Sequence, residues 1–381
     1  MQLRVGFFTE CYRPIVNGVV ASVDALAEGL RGRGHDVYCF TPSVPGYIEG
    51  DAAILRMPSL PLPMKTAYRL TLPLVSRRNL NSVVKRLSII HAHSPFITGW
   101  MGVRYARRFG IPLVYTYHTQ LEQYAHYLPF DAGTTRRAAT TLTRSYANMA
   151  DAVVVPTESM RRRLQDVGVT SRIEVMPSGI DLEFFSSGVR REHIRRASGA
   201  FPGSRMLLFI SRLAREKNAD LLLRAIALTP DPSLHLVLGG EGPERESLEA
   251  MARDLGIAGR VSFLGPVGRL ALPDLYATAD AFVFPSASET QGLVLAEALA
   301  AGVPVIAVDT PQTRDVLGGQ ARYVTTDPGS FAAAFADVAG FPDPAARASA
   351  RLSAARFGIT LQTDHMLELY EDLLARSLAL A

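Results

Sequence analysis

The chain has 381 residues, 48% of them hydrophobic and 20% charged, with a net charge of +4. That length exceeds what one hydrophobic core serves, so two domains are expected, and the composition excludes wholesale disorder. Two cysteines exclude a disulfide framework, and no uninterrupted apolar run reaches the length of a membrane-spanning helix.

The first residues, Met1-Gln-Leu-Arg-Val-Gly-Phe-Phe-Thr, lack the basic lead and small-residue cleavage site of a secretory signal. A cytoplasmic protein, soluble or surface-associated, is therefore expected. Leu3–Thr9 reads as a buried strand, and Val19–Leu30 as a helix with apolar residues at helical spacing. Between them stands Asn17-Gly18. A glycine there lets a phosphate approach the backbone, where the new helix end offers unpaired N–H groups. The dinucleotide fingerprint of three spaced glycines is absent, which argues against an NAD or FAD enzyme.

Val37–Phe40 is the next strand. Beyond it lies a strongly asymmetric stretch, with ten Lys and Arg and no carboxylate between Asp51 and Glu122. Residues 1–177 hold 21 Lys and Arg against 12 Asp and Glu, while the remainder holds 19 against 24. One reading is a solvated face of ordinary helices. The other is attraction to a polyanion. Between Pro63 and Leu87 the cations Arg77, Arg78, Lys85 and Arg86 interleave with Tyr68, Leu70, Leu72, Leu74, Val75, Leu80, Val83 and Val84. That pattern predicts an interfacial helix or helix pair on anionic lipid.

Ser88–His91, Leu113–Thr116 and Ala152–Val155 continue the series of short apolar strands, the pattern of a parallel sheet covered by helices. His118 follows the second of these, at a strand's carboxyl end. A second series comprises Met206–Ile210, His235–Leu238, Val261–Leu264, Ala281–Phe284 and Val303–Ala307, and Leu361–Leu380 forms a final amphipathic helix. Two successive series mean two doubly wound α/β domains, whose ligands sit at strand carboxyl ends. The turn-rich Met176-Pro-Ser-Gly-Ile-Asp181 marks the joint.

Two constellations in the second series carry chemistry. In Ser211-Arg-Leu-Ala-Arg-Glu-Lys-Asn218, Arg212 and Lys217 occupy a strand-to-helix loop where a guanidinium fork and an ammonium can converge on a diphosphate. In Glu289-Thr-Gln-Gly-Leu-Val-Leu-Ala-Glu297, two carboxylates flank a helix start. Each can accept from sugar hydroxyls, while the amides of Gln291–Leu293 can meet phosphate oxygens. A nucleic-acid-binding protein would leave these groups idle, so no nucleic-acid partner is expected. No Asp-x-Asp pair sits in a strand-end loop to hold a divalent ion.

Over nearly its whole length the chain resembles the family-four retaining glycosyltransferases of GT-B fold. The motifs are the spaced glutamates followed by Ala298-Leu-Ala-Ala-Gly-Val-Pro-Val-Ile-Ala307, Ser211-Arg-Leu with Lys217, and Gly239-Gly-Glu-Gly-Pro243. Glu10-Cys-Tyr-Arg-Pro-Ile-Val-Asn-Gly-Val-Val20 and Tyr117-His-Thr-Gln-Leu-Glu-Gln-Tyr-Ala-His-Tyr127 are similar to the branch that transfers glucose or a related hexose to diacylglycerol or another lipid.

The resemblance implies two facing Rossmann-like domains with an active-site cleft between them. Residues 1–177 would bind acceptor and 178–360 the nucleotide sugar, with the helix 361–381 packing back toward the N-terminal domain. Gly18 would give its amide to the donor diphosphate, and Arg212 and Lys217 would neutralise it as it leaves. Glu289 would bind hydroxyls of the donor sugar and Glu297 the ribose, with Thr290, Gln291, Gly292 and Leu293 supplying amides. His118 would lie against the sugar near the reacting carbon, and the base against the backbone near Gly265 and Val267. Tyr124 and His126 would serve the acceptor side beside the basic block. The chain departs from the family at Ser88-Ile-Ile-His91-Ala-His93, where many relatives have an acid, and at Thr310-Pro-Gln-Thr313, where many have a double glycine.

No carboxylate is placed as a covalent nucleophile, so a front-face route without metal or cofactor is implied. UDP-glucose or UDP-galactose is the favoured donor and a membrane lipid the acceptor, with the protein peripheral on the inner face of the cell membrane. The alternatives are a GDP-mannose-dependent mannosyltransferase and a nucleotide-sugar epimerase.

Overall fold

In the computed structural model, which describes residues 2–62, 68–72, 78–123, 131–338 and 343–380, the apolar runs form parallel strands. The chain divides into two compact units, Met1–Gly179 with Ile359–Ala381, and Ile180–Gly358.

The strands of the first unit are β1 (Arg4–Phe8), β2 (Asp36–Pro42), β3 (Ile54–Met57), β4 (Ser59–Pro61), β5 (Arg69–Thr71), β6 (Ile89–Ala92), β7 (Leu113–Thr116), β8 (Ala152–Val155) and β9 (Arg172–Val175). Among the described residues, seven of them form one sheet in the order β3-β2-β1-β6-β7-β8-β9, while β4 and β5 make an antiparallel pair. Its helices are α1 (Gly18–Gly32), α2 (Arg78–Val84), α3 (Ile97–Phe109), α4 (Ala132–Ala147) and α5 (Glu158–Asp166). Side chains alternate across a strand, so each sheet face acquires its own core. Phe8, Ile90, Tyr115, Val153 and Val155 point to one face, under α2 to α5. Val5, Phe7, Ile89, Val114 and Val154 point to the other, under α1.

The second unit repeats the plan. Its strands are β10 (Arg205–Ile210), β11 (Leu234–Gly239), β12 (Val261–Gly265), β13 (Ala281–Phe284), β14 (Val305–Val308) and β15 (Ala321–Val324), parallel in the order β12-β11-β10-β13-β14-β15. Its helices are α6 (Leu182–Ser186), α7 (Glu192–Ala197), α8 (Ala219–Leu228), α9 (Arg245–Asp254), α10 (Leu272–Thr278), α11 (Leu293–Ala301), α12 (Pro311–Leu317), α13 (Pro328–Ala336) and α14 (Pro344–Ala354). Again the alternation divides the core: Met206, Leu208, Phe282 and Phe284 face one side, Leu207, Phe209, Ala281 and Val283 the other. The last helix, α15 (Ile359–Leu380), returns to the first unit and buries Met366, Leu369, Tyr370 and Leu373 beside α1. Two parallel α/β sheets and a C-terminal helix match the expected fold class.

The strand order reverses between β1 and β6 in the first sheet, and between β10 and β13 in the second. At such a reversal, loops leave neighbouring strands in opposite directions and open a crevice at the carboxyl ends.

One expectation needs correction. The interfacial helix or helix pair between Pro63 and Leu87 is not what the described residues form. Arg69–Thr71 is strand β5, paired with β4, and only α2 is helical. Leu80, Val84 and Leu87 belong to the core beneath α2 and α3, so these groups are spent on folding and not offered to lipid.

Candidate active site

The second sheet's crevice collects the charged groups. The loop after β10 carries Arg212 and Lys217, and the loop after β13 carries Glu289. Lys217 Nζ is ion-paired with Glu289 Oε1, so the two loops of the reversal are joined by opposite charges. Ser286 Oγ lies 3.1 Å from the same carboxylate oxygen, and Asn218 Nδ2 donates to the Pro285 carbonyl at 3.1 Å. Arg212 donates to Glu216 Oε1 at 2.9 Å, and Glu216 is buried while the guanidinium stays substantially exposed.

Backbone crowding explains the glycines nearby. At Gly240, φ is 138°, and a Cβ would lie 1.8 Å from the Ser211 carbonyl oxygen. Only glycine lets the loop after β11 lie against the Ser211–Leu213 backbone, which it binds through Leu213 N to Glu241 O at 3.0 Å. The Gly240 amide in turn donates to Gly265 O at 2.8 Å, which brings the end of β12, with Val267, beside this loop. Gly292 caps the start of α11 at φ 75°, so the amides after Leu293 enter the helix directly, with Thr290 and Gln291 in the turn before it.

Glu297 lies in α11, where the fully buried Tyr276 hydroxyl of α10 donates to its Oε2 at 2.8 Å. Burial pushes this carboxyl up to about 7, against the Tyr276 bond and the Arg269 charge, which both pull it down.

The first sheet's crevice is built from histidines. His91 is closed on both sides, with Nδ1 2.6 Å from the Tyr370 hydroxyl and Nε2 2.6 Å from Thr116 Oγ1. His93 stacks on it with ring centroids 4.2 Å apart, and its Nδ1 lies 3.0 Å from His118 Nε2. Burial pushes the conjugate acids down, to about 3 for His91 and about 4 for His118, with His93 also well below its ordinary value. All three are neutral near pH 7. Glu10 is buried at the end of β1. Its carboxylate accepts from the Thr71 and Thr98 amides, each at 2.7 Å, and so fastens β5 to the first turn of α3. Gly18 opens α1, where Asn17 Oδ1 accepts from the Val20 amide at 2.9 Å.

The sequence-predicted residues thus fall into two groups. Arg212, Lys217, Glu289, Thr290, Gln291, Gly292, Leu293, Gly265 and Val267 come together at the second sheet's carboxyl edge, with Glu297 further along α11. Gly18 and His118 stand at the carboxyl edge of the first. Lys85 and Arg86 are exposed just after α2. Arg78 begins α2, its side chain outside the described residues, and Arg77, Tyr124 and His126 lie outside them altogether. Sequence reading missed Glu216, Ser286 and Tyr276. Glu216 was legible between Arg215 and Lys217, whereas Tyr276 sits in α10 without a local signal. Among the described residues, no group of three or more His, Cys, Asp or Glu could hold a metal ion. No helix of the described residues is long and apolar enough to cross a membrane.

Residues 16–184 match the family described as Glycosyltransferase Family 4, and residues 190–340 match Glycosyl transferases group 1. The chain is 34% identical to an alpha-monoglucosyldiacylglycerol synthase of Streptococcus pneumoniae, over 83% of this chain and 73% of that protein. It is 31% identical to a GDP-mannose-dependent alpha-mannosyltransferase of Mycolicibacterium smegmatis, over 83% and 82%. Among solved structures, Anabaena HepE in complex with UDP-glucose superimposes with a TM-score of 0.76 over 97% of this chain and all of that one, at 18% identity.

Proposed function

We propose, from the premise that this chain belongs to glycosyltransferase family 4, that it moves a hexose from a nucleotide diphosphate sugar to a hydroxyl of a membrane lipid such as diacylglycerol, with retention at the anomeric carbon. The observation that carries the reading is the Lys217–Glu289 pair at the reversal of the second sheet. A cation suited to a phosphate adjoins a carboxylate suited to sugar hydroxyls, as the junction of a sugar and its diphosphate requires. UDP-glucose is the favoured donor, supported by the glucolipid synthase likeness. The mannosyltransferase likeness favours GDP-mannose as a second reading.

In this mechanism the acceptor oxygen bonds to the anomeric carbon on the face from which the diphosphate departs. The bond from that carbon to the phosphate oxygen breaks, and the acceptor proton passes to the leaving diphosphate. Arg212 and Lys217 meet the charge that grows on the leaving group, and preorganised cations act most strongly where water is excluded. Glu289 holds the sugar so that its anomeric carbon faces the acceptor, with His118 against the sugar and Glu297 on the ribose. Fixed cations take the role a divalent ion would otherwise fill, so transfer is metal-independent.

Peripheral attachment to the inner membrane face fits a lipid acceptor. Lys85 and Arg86 after α2, and Arg104, Arg107 and Arg108 on α3, are exposed, and α2 and α3 share one core beneath them. A thermal-shift screen of UDP, GDP, ADP and their sugars tests the donor, because a ligand that binds only the native state raises its stability. Transfer of labelled glucose from UDP-glucose to diacylglycerol vesicles tests the reaction. Stabilisation by none of the nucleotides, with no transfer, overturns the proposal.

A further inference from the structure

The three histidines of the first unit do more than line a crevice. His93 is almost fully buried between the rings of His91 and Phe7, and its Nε2 has no hydrogen-bond partner. Both nitrogens of His91 are occupied by Tyr370 and Thr116, so that ring has no acceptor to offer. His93 therefore has one polar contact, Nδ1 to His118 Nε2 at 3.0 Å.

Two neutral imidazoles sharing one contact have one N–H to place in it. If His118 Nε2–H donated, the His93 proton would sit on Nε2 as a buried N–H without an acceptor. If His93 Nδ1–H donates, Nε2 carries only a lone pair. A stranded buried N–H is the rarer and costlier arrangement. The Tyr370–His91–Thr116 chain holds the lower ring of the stack on which His93 lies, and turning the His93 ring over would put a carbon against His118 Nε2 and lose its one polar contact.

We infer that His93 is a positioning residue that fixes the tautomer of His118: His93 Nδ1–H donates, His118 Nε2 accepts, and His118 carries its own proton on Nδ1. Resting on the proposed contact of His118 with the donor sugar, this gives that contact a direction. His118 then presents an N–H donor to a sugar oxygen and does not act as a general base, since its Nε2 lone pair is already engaged. Burial, which keeps both rings neutral, supports the assignment. The C-terminal helix α15 takes part through Tyr370, which holds the first ring of the stack.

The test is nitrogen-15 NMR of the full chain labelled in histidine, at pH 7.5, with His118 resonances assigned from a His118→Ala variant. The expected pattern is a protonated Nδ1 and bare Nε2 on His118, and a protonated Nδ1 on His93. A protonated Nε2 on His118 overturns the inference. Function gives a second readout, because an asparagine amide can replace an imidazole Nδ1–H and a phenylalanine cannot. With UDP-glucose as donor, His93→Phe is expected to lower kcat/KM about tenfold or more, with UDP affinity unchanged, while His93→Asn stays within about threefold of wild type. Equal losses in both variants, with both folded by their melting curves, also overturn it. Normal turnover by His118→Ala would instead remove the proposed sugar contact and leave the tautomer assignment standing.

Discussion

Replacing Lys217 with Met keeps the apolar stem of the side chain and removes its charge. Lys217 and Glu289 are mostly buried, with 15% and 21% of their side chains exposed, so their pairing is shielded from solvent more than a surface ion pair is. The variant leaves Glu289 with Ser286 Oγ at 3.1 Å, and this remaining contact keeps the stability loss near 1 kcal/mol. In a unit of this size that lowers the melting temperature by about 2–4 °C. The catalytic loss is larger. A preorganised contact to a charge that develops in the transition state is worth about 3–4 kcal/mol, a hundred- to thousandfold in rate. Because the contact strengthens as the diphosphate departs, kcat should fall much more than KM rises. The assay is glucose transfer from UDP-glucose to diacylglycerol vesicles, with melting curves recorded alongside. Turnover within about threefold of wild type in a folded Lys217→Met protein would refute the assignment of this cation to the leaving group.

Glu297 is raised from 4.5 to about 7, so its neutral form is the one the fold favours. The stability it contributes is complete below pH 4.5 and declines as pH climbs through about 7, by at most about 3 kcal/mol. Glu297→Gln should therefore flatten that part of the pH–stability curve, and parallel curves for the two proteins would show that burial does not shift this group. Excess chelator should leave the transfer rate unchanged. A rate that collapses and returns with magnesium or manganese would reveal an acidic metal site. Sedimentation with vesicles should increase with anionic lipid fraction, fall with salt, and drop when Lys85, Arg86, Arg107 and Arg108 become Ser, each cation contributing on the order of 1 kcal/mol. Equal, poor sedimentation with neutral and anionic vesicles would count against a membrane-bound acceptor.

The central strands were legible because both faces of a parallel sheet are covered, which makes Leu113–Thr116, Ala152–Val155 and Ala281–Phe284 continuous apolar runs. Three of the four edges were not. Edge strand β12 was legible as Val261–Leu264, but β3, β9 and β15 were not, and Arg172-Ile-Glu-Val175 and Ala321-Arg-Tyr-Val324 mix charge with apolar groups as half-exposed edges do. The basic block misled the reading because Leu80 and Val84 follow the same spacing whether an apolar face meets lipid or a sheet. In the candidate site, Arg212, Lys217 and Glu289 announced themselves by standing just past apolar strands. Tyr276 and Ser286 did not, since their roles arise from approach in space. His91 and His93 stood out only because Ser88-Ile-Ile precedes the pair where many relatives have an acid. Their stack and its tie to Tyr370, hundreds of positions away, required the fold.

Acids beside the proposed diphosphate cations look like a contradiction, since carboxylates repel a phosphate. The geometry removes it. Arg212 is held by Glu216 and Lys217 by Glu289, so both of these cations in the loop after β10 rest against an anionic partner. An entering diphosphate exchanges one anion for another and need not pull bare cations out of water. In the proposed complex the displaced Glu289 turns to the sugar hydroxyls that arrive with the phosphate. There the Lys217–Glu289 pair couples recognition of the sugar to release of the cation, and a nucleoside diphosphate lacking its sugar would leave Glu289 without the hydroxyls that replace its ammonium. On this argument the spacing between the loops after β10 and β13 matters as much as the identity of the charged residues. Gly240 lets the loop after β11 close on the loop after β10, and Asn218 Nδ2 to the Pro285 carbonyl and Ser286 Oγ to the Glu216 carbonyl tie that loop to the one after β13.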